Sequence, residues 1–195
     1  MGLCGSSRCG CGLTVGDGLD LTGSGEPGDP FVVSGPGAWE HIDSGNETSG
    51  SAFVVGVSAG FSRLRLNWSG TATDDASPAI RINNDNTSNM HVRSRHTISP
   101  AGTFSSTLDG GQGSVWFIGF FLSTLPSWGV AEIDIAGPRP YMRCTSARAG
   151  IPSGSARFEG WGWLNHDRTV TSLQIRCDGD GNFSDFHWQL EGYRA

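Results

Sequence analysis

Three observations predict an all-β protein, an antiparallel β-sandwich or jelly roll preceded by an extended Gly-rich arm. Apolar and polar residues alternate with period two through most of the chain beyond Ser51. Thirty glycines, with frequent Ser, Asn, Asp and Pro, punctuate these runs at the spacing of tight turns. No stretch carries a helical apolar stripe over three turns. At 195 residues the chain accommodates one domain of ordinary size and an appendage.

The appendage comes first. CGSSRCGCGLTVGDGLDLTGSGEPGDPF places Cys4, Cys9 and Cys11 ahead of a Gly-rich run in which apolar residues are sparse, so residues 1–34 cannot bury a core of their own. Asp-Gly and Gly-Asp-Pro favour reversals, which predicts two or three short extended segments joined by β-turns. Three intertwined copies would bury Leu13, Val15, Leu19, Leu21, Phe31 and Val33 against one another. The next stretch, GPGAWEHIDSGNETSG, reads as a linker over 35–50.

Residues 51–195 form the expected sandwich domain. FSRLRLNW sets Leu64, Leu66 and Trp68 on one face against Arg63 and Arg65, and AIRIN sets Ile80 and Ile82 against Arg81. VAEIDIA turns Ala131, Ile133 and Ile135 inward and Glu132 and Asp134 outward, while VWFIGFFL, apolar on both faces, is the candidate central strand. MHVRSRHT, YMRCTSA, RFEGWGWL, VTSLQIRC and DFHWQLEGY continue the pattern, for about nine or ten strands in all.

Charge narrows the partners. All thirteen basic residues are Arg, and the net charge of −6 opposes general nucleic-acid binding, which needs clustered positive charge. No apolar run reaches bilayer length and no secretory leader is expected ahead of the arm. MGLCGS matches a myristoylation pattern, but in a chain this rich in Gly and Ser it is read as a flexible terminus.

Nor do the residues predict catalysis. His41, His91, His96, His166 and His187 are scattered without metal-binding or triad spacing, and their expected role is that of surface or hydrogen-bonded strand residues. Asp74 and Asp75 lie in a Thr, Ala and Ser-rich loop, where a solvated turn is the simpler reading. No cofactor is expected. Cys4, Cys9 and Cys11 have the density of a metal site but lack a fourth ligand, leaving free thiols, an arm crosslink by disulfides, or ligands shared between chains as alternatives. Cys144 and Cys177 read as buried thiols on strands. DGDGNFSD, Asp178 to Asp185, resembles a calcium loop in part, yet Phe183 stands where such a loop needs Gly, so a hairpin turn is preferred.

Two features carry possible recognition. Trp161 and Trp163 share a strand face, with Gly160 and Gly162 on the other; they read first as core or subunit interface and second as a platform for sugar rings. Arg63, Arg65, Arg81, Arg93 and Arg95 are expected on outward positions as one basic stripe, pairing with Glu132, Asp134 or a second subunit, or contacting an anionic cell-wall glycan.

The arm, with its CGLTVGDGLDLTGSGEPGDPF run, resembles the amino-terminal segment of minor tail and fibre-type virion proteins of phages infecting Actinobacteria. The loop Ile82–Met90, the strand AEIDIAGP and the closing LEGY resemble a β domain of such proteins, with Met90 where that pattern has Tyr. The resemblance implies a non-enzymatic structural virion component, a homotrimer assembled in the host cytoplasm and placed on the tail, joined to other virion proteins through the arm. A carbohydrate-binding adhesin of the host envelope and a capsid decoration protein are the alternatives.

Overall fold

The computed structural model describes residues 20–22, 32–34, 37–74, 76–86, 91–98, 104–119, 125–151 and 154–195; over 20–21, 32–34, 91–98, 104–113, 150–151 and 154–156 the description is of the backbone. Cys4, Cys9, Cys11, Asp75 and Met90 lie outside the described residues.

The described chain is all-β. Strands β1 (Asp20–Thr22) and β2 (Val32–Ser34) pair as an antiparallel ribbon within the arm. The next twelve are β3 (Trp39–Glu47), β4 (Ala52–Gly56), β5 (Arg63–Ala72), β6 (Ser77–Ile82), β7 (His91–Ile98), β8 (Phe104–Gly113), β9 (Trp116–Phe117), β10 (Ser127–Asp134), β11 (Tyr141–Ile151), β12 (Gly154–Leu164), β13 (Ser172–Asp178) and β14 (Phe183–Tyr193). They form two antiparallel sheets. The large one runs β3-β14-β5-β10-β11-β12-β7-β8, and the small one β4-β13-β6-β9.

The period-two pattern explains the core between them. Leu64 and Leu66 of β5, Ala131 and Ile133 of β10, Met142 of β11 and Leu190 of β14 are at most 1% exposed on the inner face of the large sheet. Ile80, Ile82, Leu173 and Ile175 oppose them from the small sheet. Each of the Leu, Ile and Met side chains contributes about 1.5–3 kcal/mol on burial. An aromatic contact joins the sheets: Phe53 of β4 stacks on Trp188 of β14 with centroids 5.0 Å apart, while within β14 Phe183 stacks on Phe186 at 4.5 Å. Cys144 and Cys177 are buried free thiols; burial pushes both up to about 12.

The structure corrects four expectations. The stretch expected as a linker contains β3, which closes one edge of the large sheet by pairing with β14. Because β3 is an edge strand with few apolar residues, backbone pairing rather than a hydrophobic face makes it a strand. Among the described residues of VWFIGFFL, Trp116–Phe117 form the short β9 at an edge of the small sheet, with Val115, Trp116 and Ile118 buried; residues 120–124 lie outside the described part. β6 is buried on both faces, so Arg81 does not point outward. Finally, DGDGNFSD is not a hairpin: β13 belongs to the small sheet and β14 to the large one, and the segment crosses between them. Gly179, at φ 118°, takes a conformation available to glycine at this crossing.

Asn83 ties the end of β6 to the segment leading into β13. Its backbone is left-handed, at φ 53°; its Oδ1 accepts from the Thr171 and Ser172 amides at 2.8 and 3.1 Å, and its Nδ2 donates to the Thr169 carbonyl at 2.8 Å. Asn is among the residues that tolerate this conformation and bond locally to the backbone.

Candidate functional site

An antiparallel sheet with one buried face ordinarily shows mostly polar side chains on the other. The outer face of the large sheet departs from this. Trp128 of β10 is 48% exposed, Tyr141 of β11 is 43% exposed and Trp163 of β12 is 38% exposed. Trp161 stands two residues from Trp163 on the same face and is half-buried. Tyr141 and Trp163 are direct cross-strand partners. Trp161 and Trp163 are therefore surface rather than core residues in this chain, and the core-facing positions beside them are Gly160 and Gly162.

Charge on this face is paired internally. Register places Arg65, Glu132 and Arg143 side by side on β5, β10 and β11. Glu132 Oε1 accepts from Arg65 Nε and Nη2 at 3.4 and 3.3 Å, and Oε2 accepts from Arg143 Nε at 2.8 Å as well as from its Nη2. The bond from Arg143, above all, holds the Glu132 carboxyl below the usual range against the opposing effect of burial, with Arg65 adding to it. Arg65 also lies 3.9 Å from Glu191 Oε2, and its guanidinium sits 3.9 Å above the Trp39 ring. Arg63 lies 4.2 Å above the Tyr193 ring, and Trp39 and Tyr193 meet with centroids 5.5 Å apart. These arginines stiffen the β3, β14 and β5 end of the sheet through ion pairs and aromatic faces.

The single basic stripe is not formed. Arg63 and Arg65 belong to the network just described. Arg81 is on the small sheet, 7% exposed, donating through Nε to the Ser114 carbonyl at 3.2 Å, through Nη2 to Ser114 Oγ at 3.2 Å and through Nη1 to Gln174 Oε1 at 3.0 Å. Burial, ahead of repulsion from Arg176, lowers its pKa. Arg93 and Arg95 are on β7, whose backbone pairs them with Gly162 and Gly160 of β12, four strands from β5. At strand spacing this is about 19 Å away. The structure thus divides five expected surface arginines among three places.

Trp128 was not singled out by the sequence analysis, although period two from Glu132 places it, with Val130, on the outward face. β10 begins at Ser127, three residues ahead of the VAEIDIA run. A shallow hollow of about 400 Å³ adjoins Trp128, bounded by Asn67, Val130, Thr145, Ala147 and Arg157. Its floor closes because residue 129 is Gly: a Cβ there would stand 2.7 Å from the Ser146 Cβ and 2.9 Å from Trp68 Cζ2. Two further hollows of about 310 Å³ continue it. One, toward β14, is bounded by Ser69, His187 and Gln189, and the other is bounded by Glu132 and Arg143. Together they make a trough across the strands.

The other carboxylates singled out in the sequence are occupied or apart. Asp178 lies 3.9 Å from Arg176, and Asp185 pairs with His187 at 3.0 Å. Asp74 is exposed in the loop after β5. His41, on the edge strand, contacts Ser44 Oγ at 3.2 Å.

Fold and surface together define an antiparallel β-sandwich that turns an aromatic, internally ion-paired sheet face outward. No protein family matches the chain, and no curated protein matches it either.

Proposed function

We propose that this protein is a non-catalytic structural component of a bacteriophage particle, a minor tail protein, with residues 1–34 docking it to other virion proteins and the sandwich displayed outward. The observation that carries the reading is the division of the chain. An arm too poor in apolar residues to fold alone precedes a domain with a continuous core of its own. Such an arm gains order by burial against a partner, which suits assembly into a particle and a homotrimer whose arms intertwine. The resemblance of the arm to tail and fibre-type proteins points the same way.

A second reading, an adhesin touching the host envelope, is favoured by the exposed Trp128, Tyr141 and Trp163. Placement on the capsid as a decoration protein has no comparable observation behind it. Gold labelling of the tagged full-length protein on intact particles tests the first reading. Label at the tail, lost when residues 1–34 are deleted, is the expected result. Label on the shell, or incorporation that does not need the arm, would refute it. Light scattering of the purified protein tests the trimer.

A further inference from the structure

We infer that the trough across the outer face of the large sheet is a binding site for a neutral glycan chain, with Trp128 as the ring-stacking wall. This deepens the adhesin reading and rests on it. Three features combine. The first is the wall itself: a Trp with nearly half its surface free, beside a hollow of about 400 Å³, offers a flat apolar face to the C–H side of a sugar ring.

The second is the polar lining. Asn67 and Gln189 donate through their amide nitrogens to Glu191 at 3.4 and 3.3 Å, so each keeps hydrogen-bonding capacity for a ligand. The Ser69 and Thr145 hydroxyls border the same hollows. Side-chain amides and hydroxyls of this kind recognise sugar hydroxyls, which both donate and accept.

The third is charge. Every Arg and His side chain bordering the trough faces a carboxylate of the same chain: Arg157 meets Glu159 at 2.7 Å, Arg143 is held by Glu132, and His187 meets Asp185 at 3.0 Å. An anionic polymer would have to displace these pairs, whereas a neutral one would not. The hollows run from β14 to β12, four strand intervals or about 19 Å, which fits a short stretch of polysaccharide rather than a single ring. Trp161 and Trp163 lie outside the hollows.

Affinity electrophoresis of the purified full-length protein tests the site. The gels contain hydroxyethylcellulose, soluble starch, galactomannan or arabinogalactan as neutral probes, and dextran sulfate or polygalacturonate as anionic ones. At least one neutral polymer should retard the protein, with little change in molar salt. Trp128→Ala should weaken that retardation about tenfold or more, as expected of a central aromatic anchor, while Trp128→Phe keeps the larger part. Asn67→Ala should weaken it several-fold, and Trp163→Ala should leave it unchanged. An unchanged melting temperature of Trp128→Ala establishes that the fold is intact, as its exposure predicts. Retardation by none of the neutral polymers overturns the inference. So does salt-sensitive retardation by the anionic polymers alone, or undiminished binding by a folded Trp128→Ala. The gels use isolated protein and the labelling uses particles, so the glycan site and the virion placement can fail separately. Loss of Trp128→Ala from particles would mark this face as a subunit contact and also overturn the site.

Discussion

Arg65 and Arg81 occupy equivalent places in two period-two runs, each flanked by aliphatic residues, yet they end in opposite environments. Arg65 lies on the outer face of the large sheet, its side chain 31% exposed, between Glu132, Glu191 and the Trp39 ring. Arg81 is 7% exposed on the small sheet and bonds to Ser114 and Gln174 without a carboxylate partner at hydrogen-bond distance among the described residues. The small sheet is covered at this point by the segment bearing Ser114, whereas the large sheet has one open face. Alternation reports which residues share a face; it does not report whether that face is covered.

The contrast sets an order of effects. The largest belongs to the shared core. Leu66→Ala should cost about 2–5 kcal/mol in denaturant unfolding, because its side chain is fully buried beneath the very strand that carries Arg65. A cost below that of a surface substitution would mean that the sheets do not enclose it.

Arg81→Ala should come next, at about 1–3 kcal/mol, since it leaves the Gln174 and Ser114 acceptors facing a void. Arg65→Ala, an exposed pair by comparison, should cost about 1 kcal/mol or less by the same measurement. Equal costs would erase the distinction drawn between the two arginines.

A smaller effect appears in acid. The Glu132 carboxyl is held below its ordinary value of 4.5, so its contribution to stability is complete above that value and is lost as pH falls through the lower folded-state value. Glu132→Gln should therefore flatten the acid limb of melting temperature against pH and leave the shape near neutrality unchanged. An unaltered acid limb would show that Arg143 and Arg65 do not bind this carboxylate in solution.

The smallest change is in reactivity alone. With their thiols buried and pushed up to about 12, Cys144 and Cys177 should stay unlabelled by a maleimide at pH ~8 until the protein is unfolded, as peptide mapping would show. Rapid native labelling of either would contradict its place in the core.

How much the sequence disclosed follows from the same physics. FSRLRLNW and VAEIDIA were legible because one face is buried and the other wet, so alternation and environment coincide at Leu64, Leu66, Ala131 and Ile133. AIRIN misled because Pro78, Ala79, Ile80, Arg81 and Ile82 are all buried. β3 was missed since an edge strand built from Ser, Gly and Asn has little alternation to show. VWFIGFFL suggested a central strand because continuous apolarity marks burial without distinguishing a ladder from a crossing segment. Of the candidate surface, the Trp161 and Trp163 pair was visible as a shared face, but its openness was not. Trp128 lies within reach of the same alternation, two residues ahead of the VAEIDIA run.

Hydroxyl-radical footprinting of the purified protein, read at single residues by mass spectrometry, tests most directly the claim that the large sheet keeps an aromatic face open. Trp128, Tyr141 and Trp163 should oxidise rapidly, and Trp116, which is fully buried, and Trp68, which is 4% exposed, should be protected until unfolding. Protection of Trp128 and Trp163 equal to that of Trp116 would contradict an open face.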